Sequence, residues 1–198
     1  MEKKKLFKSQ MQMIIYVLIF IICIVLFIVI GQIDFKKNIT TDPERFSDIY
    51  KVVDKDNLYL FADATDVLNI LNGNSGIILM GFPTNKWTGH YANILNDACK
   101  DLNVKEILYY DFFQDRSESN GTYETIVNKL KVYAPVNDEG YMDIQAPTVL
   151  IVKKGEVIAY FDDTSVNKGS VTPEIYYTDN QIARTYENFY AALLNYFE

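Results

Sequence analysis

Residues 13–30 read MIIYVLIFIICIVLFIVI, eighteen apolar residues in a row with no charge, Gly, Pro or Asn among them. With Met11 and Gln12 the stretch reaches about 20 residues, which at 1.5 Å per residue matches the hydrocarbon thickness of a bilayer. A core helix of that length in a small domain would show a polar face, and this run has none. A secretory signal peptide carries an apolar region of roughly 7–15 residues that ends at a small-residue cleavage site. Here the run is longer and gives way to Gly31-Gln32-Ile33-Asp34, and Cys23 follows Ile22 where a lipoprotein signal has a small residue. The reading is an uncleaved transmembrane anchor over residues 11–31. Everything C-terminal to it is then a tethered domain.

Charge orients the anchor. The first ten residues hold Lys3, Lys4, Lys5 and Lys8 against Glu2, whereas the whole chain has 19 basic and 26 acidic residues and a formal charge of −7. The acid excess therefore lies beyond the apolar run. The positive-inside tendency places residues 1–10 in the cytoplasm as a short tail and the acidic remainder outside the cell membrane. That acidity keeps the domain off anionic lipid. It also excludes nucleic acid as a partner, since phosphate binding needs a basic face. Two cysteines exclude a disulfide scaffold, and one histidine excludes a His-based metal cluster. No cofactor and no metal site is expected, and the paired acids at 54–56, 138–139 and 162–163 lack the spacing of a calcium loop.

Residues 32–56 are polar, with KKN, TTDPER and KVVDKDN, and read as a linker with a short helix around positions 43–53. Beyond it, apolar runs alternate with amphipathic stretches. Residues 57–62 (NLYLFA) predict a strand and 63–71 a short helix ahead of Gly73. The continuous apolar run 76–82 (GIILMGF) predicts a strand covered on both faces. Over 88–102, Tyr91, Ile94, Leu95, Ala98 and Leu102 fall at helical spacing; 106–111 (EILYYD) is a further strand, and Tyr123, Ile126, Val127 and Leu130 mark a further helix. Residues 148–153 and 156–161, joined by Lys154-Gly155, predict a hairpin, and 179–197 a last helix with Ile182, Tyr186, Phe189, Tyr190 and Leu193 along its stripe. The order β-α-β-α-β-α-β-β-α predicts an α/β domain over 57–198, a mixed central sheet with helices on both faces.

The run GIILMGFPTNKWTGHYANILNDAC at 76–99 resembles a thioredoxin-like family of Gram-positive bacteria related to bacteriocin transport accessory proteins. In that family an apolar strand runs into Gly-aromatic-Pro, then Cys-x-Trp-Cys, then a helix with Tyr and Leu at matching spacings. QAPTVLIVKKGEVIAYF at 145–161 is similar to the family's cis-proline strand and the hairpin after it. The resemblance implies a thioredoxin-like fold with Pro147 as the cis-proline. It also implies a groove for extended peptide, formed here by Phe82, Pro83 and Trp87 beside Ala146 and Pro147. The chain departs from the family where the family does chemistry: Cys-x-x-Cys is replaced by Asn85-Lys86-Trp87-Thr88. A second register compares 87–91 with the Trp-Cys-Gly-His-Cys of disulfide isomerases, but the first preserves the downstream Tyr91 and Leu95 spacing. In either register both thiols are absent, and neither Asn nor Thr forms the thiolate that disulfide exchange needs.

Among the remaining candidates, Cys23 lies in the apolar run and Cys99 on the body of a helix between Asp97 and Asp101, where no cation activates it. His90 is the sole histidine, two residues from Thr88, and on a helix such a pair does not face each other. It reads as a solvent-facing residue of the first turn, and no catalytic residue is assigned. The sequence thus points to a membrane-anchored, extracytoplasmic accessory factor without dithiol activity, which binds a protein or peptide partner through Phe82, Pro83, Trp87, Ala146 and Pro147. Two alternatives are an accessory to thiol–disulfide chemistry in bacteriocin or envelope-protein maturation, and assembly through the membrane helix at 11–31.

Overall fold

Side chains alternate in direction along each strand, so a strand that is apolar at every position must be covered on both faces. In the computed structural model, which describes residues 40–134, 144–162 and 171–198, Gly76–Gly81 meets that demand as the central strand of the sheet. Ile77 and Leu79 enter one core with Tyr59, Leu95, Tyr109, Val149 and Phe189, and Ile78 and Met80 enter the other with Val67, Tyr110, Ile126 and Leu150. The elements in order are α1 (Asp42–Ile49), β1 (Tyr59–Ala62), α2 (Ala64–Leu71), β2 (Gly76–Gly81), α3 (Lys86–Asp101) and β3 (Ile107–Asp111). There follow α4 (Phe113–Ser117), α5 (Gly121–Leu130), β4 (Thr148–Lys153), β5 (Glu156–Asp162), α6 (Pro173–Tyr176) and α7 (Asp179–Phe197).

The five strands lie in the order β1-β3-β2-β4-β5. β1, β3 and β2 are parallel, with Leu60 opposite Leu108 and Ile78 opposite Leu108. β4 runs antiparallel to β2, with Ile78 opposite Leu150, and β5 antiparallel to β4. Helices α1, α3 and α7 cover one face, and α2 and α5 the other. The expected mixed sheet between two helical layers is what the chain forms. The tail at 1–10 and the anchor at 11–31 lie outside the described residues. Among the described residues no helix is long and apolar enough to cross a membrane.

Capping decides where the helices start. Asp63 accepts from the backbone N–H groups of Thr65 and Asp66 at 2.7 and 3.0 Å and forms a capping box with Asp66. β1 begins at Tyr59 rather than Asn57 because the Asn57 side chain is taken up in closing a loop. Its Nδ2 donates to the Pro43 and Asp54 carbonyls at 2.8 and 2.6 Å, and its Oδ1 accepts from Tyr59 N–H. The short helices α4 and α6 were not expected; at five and four residues they leave no periodic signal.

The main difference from the sequence reading lies in the segment taken as linker. The compact unit begins at Thr40, not at 57. Thr41 and Glu44 form a capping box, Pro43 sits in the first turn, and the helix so started, its C-cap and the turn after it deliver Phe46, Tyr50 and Val53 into the core. Phe46 is fully buried and stacks on Tyr59 with centroids 3.9 Å apart. The outer edge of β1 is closed by the same helix, since the Asp42 carboxylate accepts from Phe61 N–H at 3.1 Å. Phe46, Ile49, Tyr50 and Val53 stand at i, i+3, i+4 and i+7, a helical stripe outweighed by the surrounding charge. Phe46→Ala should therefore cost about 3–5 kcal/mol in urea unfolding of the full chain, the penalty of truncating a core aromatic. A residue of a solvated spacer would change stability by no more than about 0.5 kcal/mol.

Candidate functional site

At the carboxyl end of β2 the chain leaves the sheet through Phe82-Pro83-Thr84 and enters α3 at Lys86, with Asn85 as N-cap in extended conformation. The Asn85 carboxamide does two things. Its Oδ1 accepts from the backbone N–H groups of Trp87 and Thr88 at 3.0 and 3.1 Å and from the Thr88 hydroxyl at 3.2 Å. Its Nδ2 donates to the Ala146 carbonyl at 2.8 Å, and the Ala146–Pro147 peptide is cis. The two loops that the sequence pointed to, 82–88 and 146–147, are therefore side by side, and the side chain of Asn85 joins them.

Thr88 is fully buried in the first turn of α3. It lies over Gly81, where an added Cβ would come within 2.6 Å of its methyl group, so a residue with a side chain at 81 would displace it. Beneath it the Tyr50 and Tyr109 hydroxyls are 2.8 Å apart in the core. Burial raises the Tyr50 hydroxyl well above its ordinary range, against which its hydrogen bond to Tyr109 acts. Both phenols are thus held neutral and bonded to each other, and the buried Thr88 hydroxyl is bonded to Asn85, which in turn bonds the Ala146 carbonyl.

Trp87 does not stand in an open groove. It is 9 % exposed and covered by Tyr176 and Tyr177, whose rings meet it edge-on with centroids 5.4 and 5.9 Å away. Ala146 and Pro147 are buried as well. Pro83, Thr84 and Lys86 are exposed at this end of the sheet, and Phe82 is half-buried. Phe82 packs on Phe112 and on Phe113, itself 51 % exposed, with the Arg116 guanidinium 5.4 Å from the Phe82 ring centre. Nothing in the sequence reading marked the Tyr176–Tyr177 cover, because those tyrosines end and cap a four-residue helix too short to leave a periodic signal. The usable signal was Pro173 opening a helix, with an aromatic pair three and four residues on.

The alternative groups are equally constrained. Cys99 is fully buried, and burial pushes its thiol up to about 12, away from the thiolate that disulfide exchange requires. The Thr88 hydroxyl is bonded to Asn85, so it has no base beside it. His90 is half-buried rather than solvent-facing: its ring stacks on Tyr177 at 5.7 Å and 9°, and Nε2 lies 3.7 Å from Glu174 Oε1. Among the described residues, no three His, Cys, Asp or Glu side chains converge in a way that could hold a metal ion. No protein-family model matches the chain, and no curated protein matches it at a significant level.

Two outcomes follow from this geometry. Asn85→Ala removes the cap and the tie to Ala146, and should cost about 1–3 kcal/mol in urea unfolding. Asn85→Asp keeps the acceptor but not the donor, and should fall between the two. With its thiol near 12, Cys99 at pH 8 should react with iodoacetamide roughly a thousandfold more slowly in the folded full chain than after denaturation. Mass mapping separates it from Cys23.

Proposed function

We propose that this chain is a membrane-anchored, thioredoxin-like accessory protein that has exchanged its redox centre for a structural joint and binds a polypeptide partner outside the cytoplasm. The observation that carries the reading is Asn85: at the N-terminus of α3, where the resemblance puts an attacking thiol, a carboxamide caps the helix and ties it to the cis-proline loop. The strand order β1-β3-β2-β4-β5, three parallel strands followed by an antiparallel hairpin, supports the fold assignment. The anchor rests on the apolar run at 13–30 and the flanking lysines. A tether of that kind raises the local concentration of any partner in the same membrane.

With Trp87 covered, the contact surface shifts toward Pro83, Thr84, Lys86, Phe82 and Phe113, a patch that combines ring faces with cationic side chains. Disulfide chemistry through Cys99 is disfavoured by its burial and its high thiol pKa. The test is photocrosslinking in native membranes, from a photoreactive residue placed at Lys86 or at Phe113, with a control at the exposed Glu156 of β5. A discrete adduct from 86 and 113 but not from 156 is expected. No adduct from either position, together with partner recruitment that persists when residues 40–198 are replaced by an unrelated domain, would move the function to the membrane helix.

A further inference from the structure

We infer that the cleft between α3 and α7 is a binding site for an organic cation, an alkylammonium or guanidinium group on an aliphatic stem. The cleft measures about 320 Å³, the size of a long side chain or a small polyamine. Its apolar lining is the buried Ile94 with the exposed Val52 and Ile182. Its aromatic lining is His90 and Tyr177, stacked on each other with centroids 5.7 Å apart, together with Tyr186 of α7. The Tyr186 ring is fixed from two sides, stacked on Tyr190 and bonded through its hydroxyl to the Asp101 carboxylate, so this part of the lining is ordered before a ligand arrives. Asp97 and Asp179 also line it, and among the described residues no lysine or arginine does. Lys100, the lysine nearest in sequence to Asp97, is paired with Asp56 at 3.0 Å, and its charge also acts on Asp97.

These three kinds of lining select a ligand class. An anion would meet two carboxylates, and a wholly apolar ligand would strip water from Asp97 and Asn93 without replacing their hydrogen bonds. A bare divalent ion has no use for rings or an aliphatic lining. An alkyl cation satisfies all of them: its stem covers Val52, Ile94 and Ile182, and its head lies between ring faces and the carboxylates, in charge-assisted hydrogen bonds. The site is separate from the Phe82–Phe113 patch and does not depend on the peptide-binding reading.

The test uses the full chain in detergent micelles, followed by methyl NMR of Ile94 and Ile182 and by calorimetry. The probes are 1,5-diaminopentane, a blocked Gly-Lys-Gly tripeptide, its norleucine analogue without the charge, and calcium ion. Saturable shifts with at least one amine, none with the norleucine peptide, and at least an about tenfold loss of affinity in both Asp97→Asn and Asp179→Asn are expected. Both acids are exposed, and circular dichroism shows whether the variants keep their helices. Binding of the tripeptide identifies a basic side chain of a polypeptide as the source, and binding of the diamine alone identifies a free polyamine. Either supports the site. No shift with either amine, equal binding of the norleucine peptide or of calcium, or unchanged affinity in both variants would overturn it. Loss of amine binding in Asp97→Asn with the Lys86 crosslink intact separates this site from the proposed partner surface.

Discussion

The carboxamide of Asn85 joins two parts of the molecule that are distant in sequence. Its oxygen closes the first turn of α3 and accepts from the buried Thr88 hydroxyl, and its nitrogen holds the loop before β4 through the Ala146 carbonyl. An amide suits this position because it accepts and donates at once, whereas a carboxylate only accepts. Leaving the buried Thr88 hydroxyl and the first-turn N–H groups without this acceptor costs about 1–3 kcal/mol. The order of the carboxyl end of the sheet thus depends on one side chain.

Around that joint the aromatic residues act as a continuous packing medium. Phe46 and Tyr50 from α1 fill the space against Tyr59 and Tyr109, Tyr176 and Tyr177 cover Trp87, and Phe189 of α7 bridges Tyr91 and Phe161. Edge-on and stacked ring pairs add about 0.5–1.5 kcal/mol each beyond burial. Trp87, which the sequence reading placed in a groove, is in this way part of the core. What stays accessible is displaced to its two flanks, the Phe82–Phe113 patch on one side and the cleft between α3 and α7 on the other.

Most of the fold was legible because the strands are strongly apolar and the helices carry their apolar residues at helical spacing. GIILMG admits no solvated face, whereas the Asn85 cap was not read as one and the helix expected over 88–102 begins at Lys86. The α1 helix was expected, but its place in the core was obscured by the charge density of TTDPERFSDIYKVVDKDN, within which four apolar residues at helical spacing carry the information. The candidate site was half legible. That 82–88 and 146–147 come together follows from the two separated motifs, but the burial of Trp87 depends on Tyr176 and Tyr177, about 90 positions later. No local pattern encodes a contact of that range.

By itself the sequence determined the charge asymmetry, the apolar run at 13–30, the β-α alternation and the absence of a thiol pair, because each is a property of neighbouring residues or of composition. Only the tertiary structure decided that a polar-looking segment supplies core aromatics, that Asn85 bonds to Ala146 sixty-one residues away, and that Trp87 is covered. The physical reason is that burial is decided by what packs against a residue, and packing partners are chosen by the sheet and its helices rather than by the chain on either side.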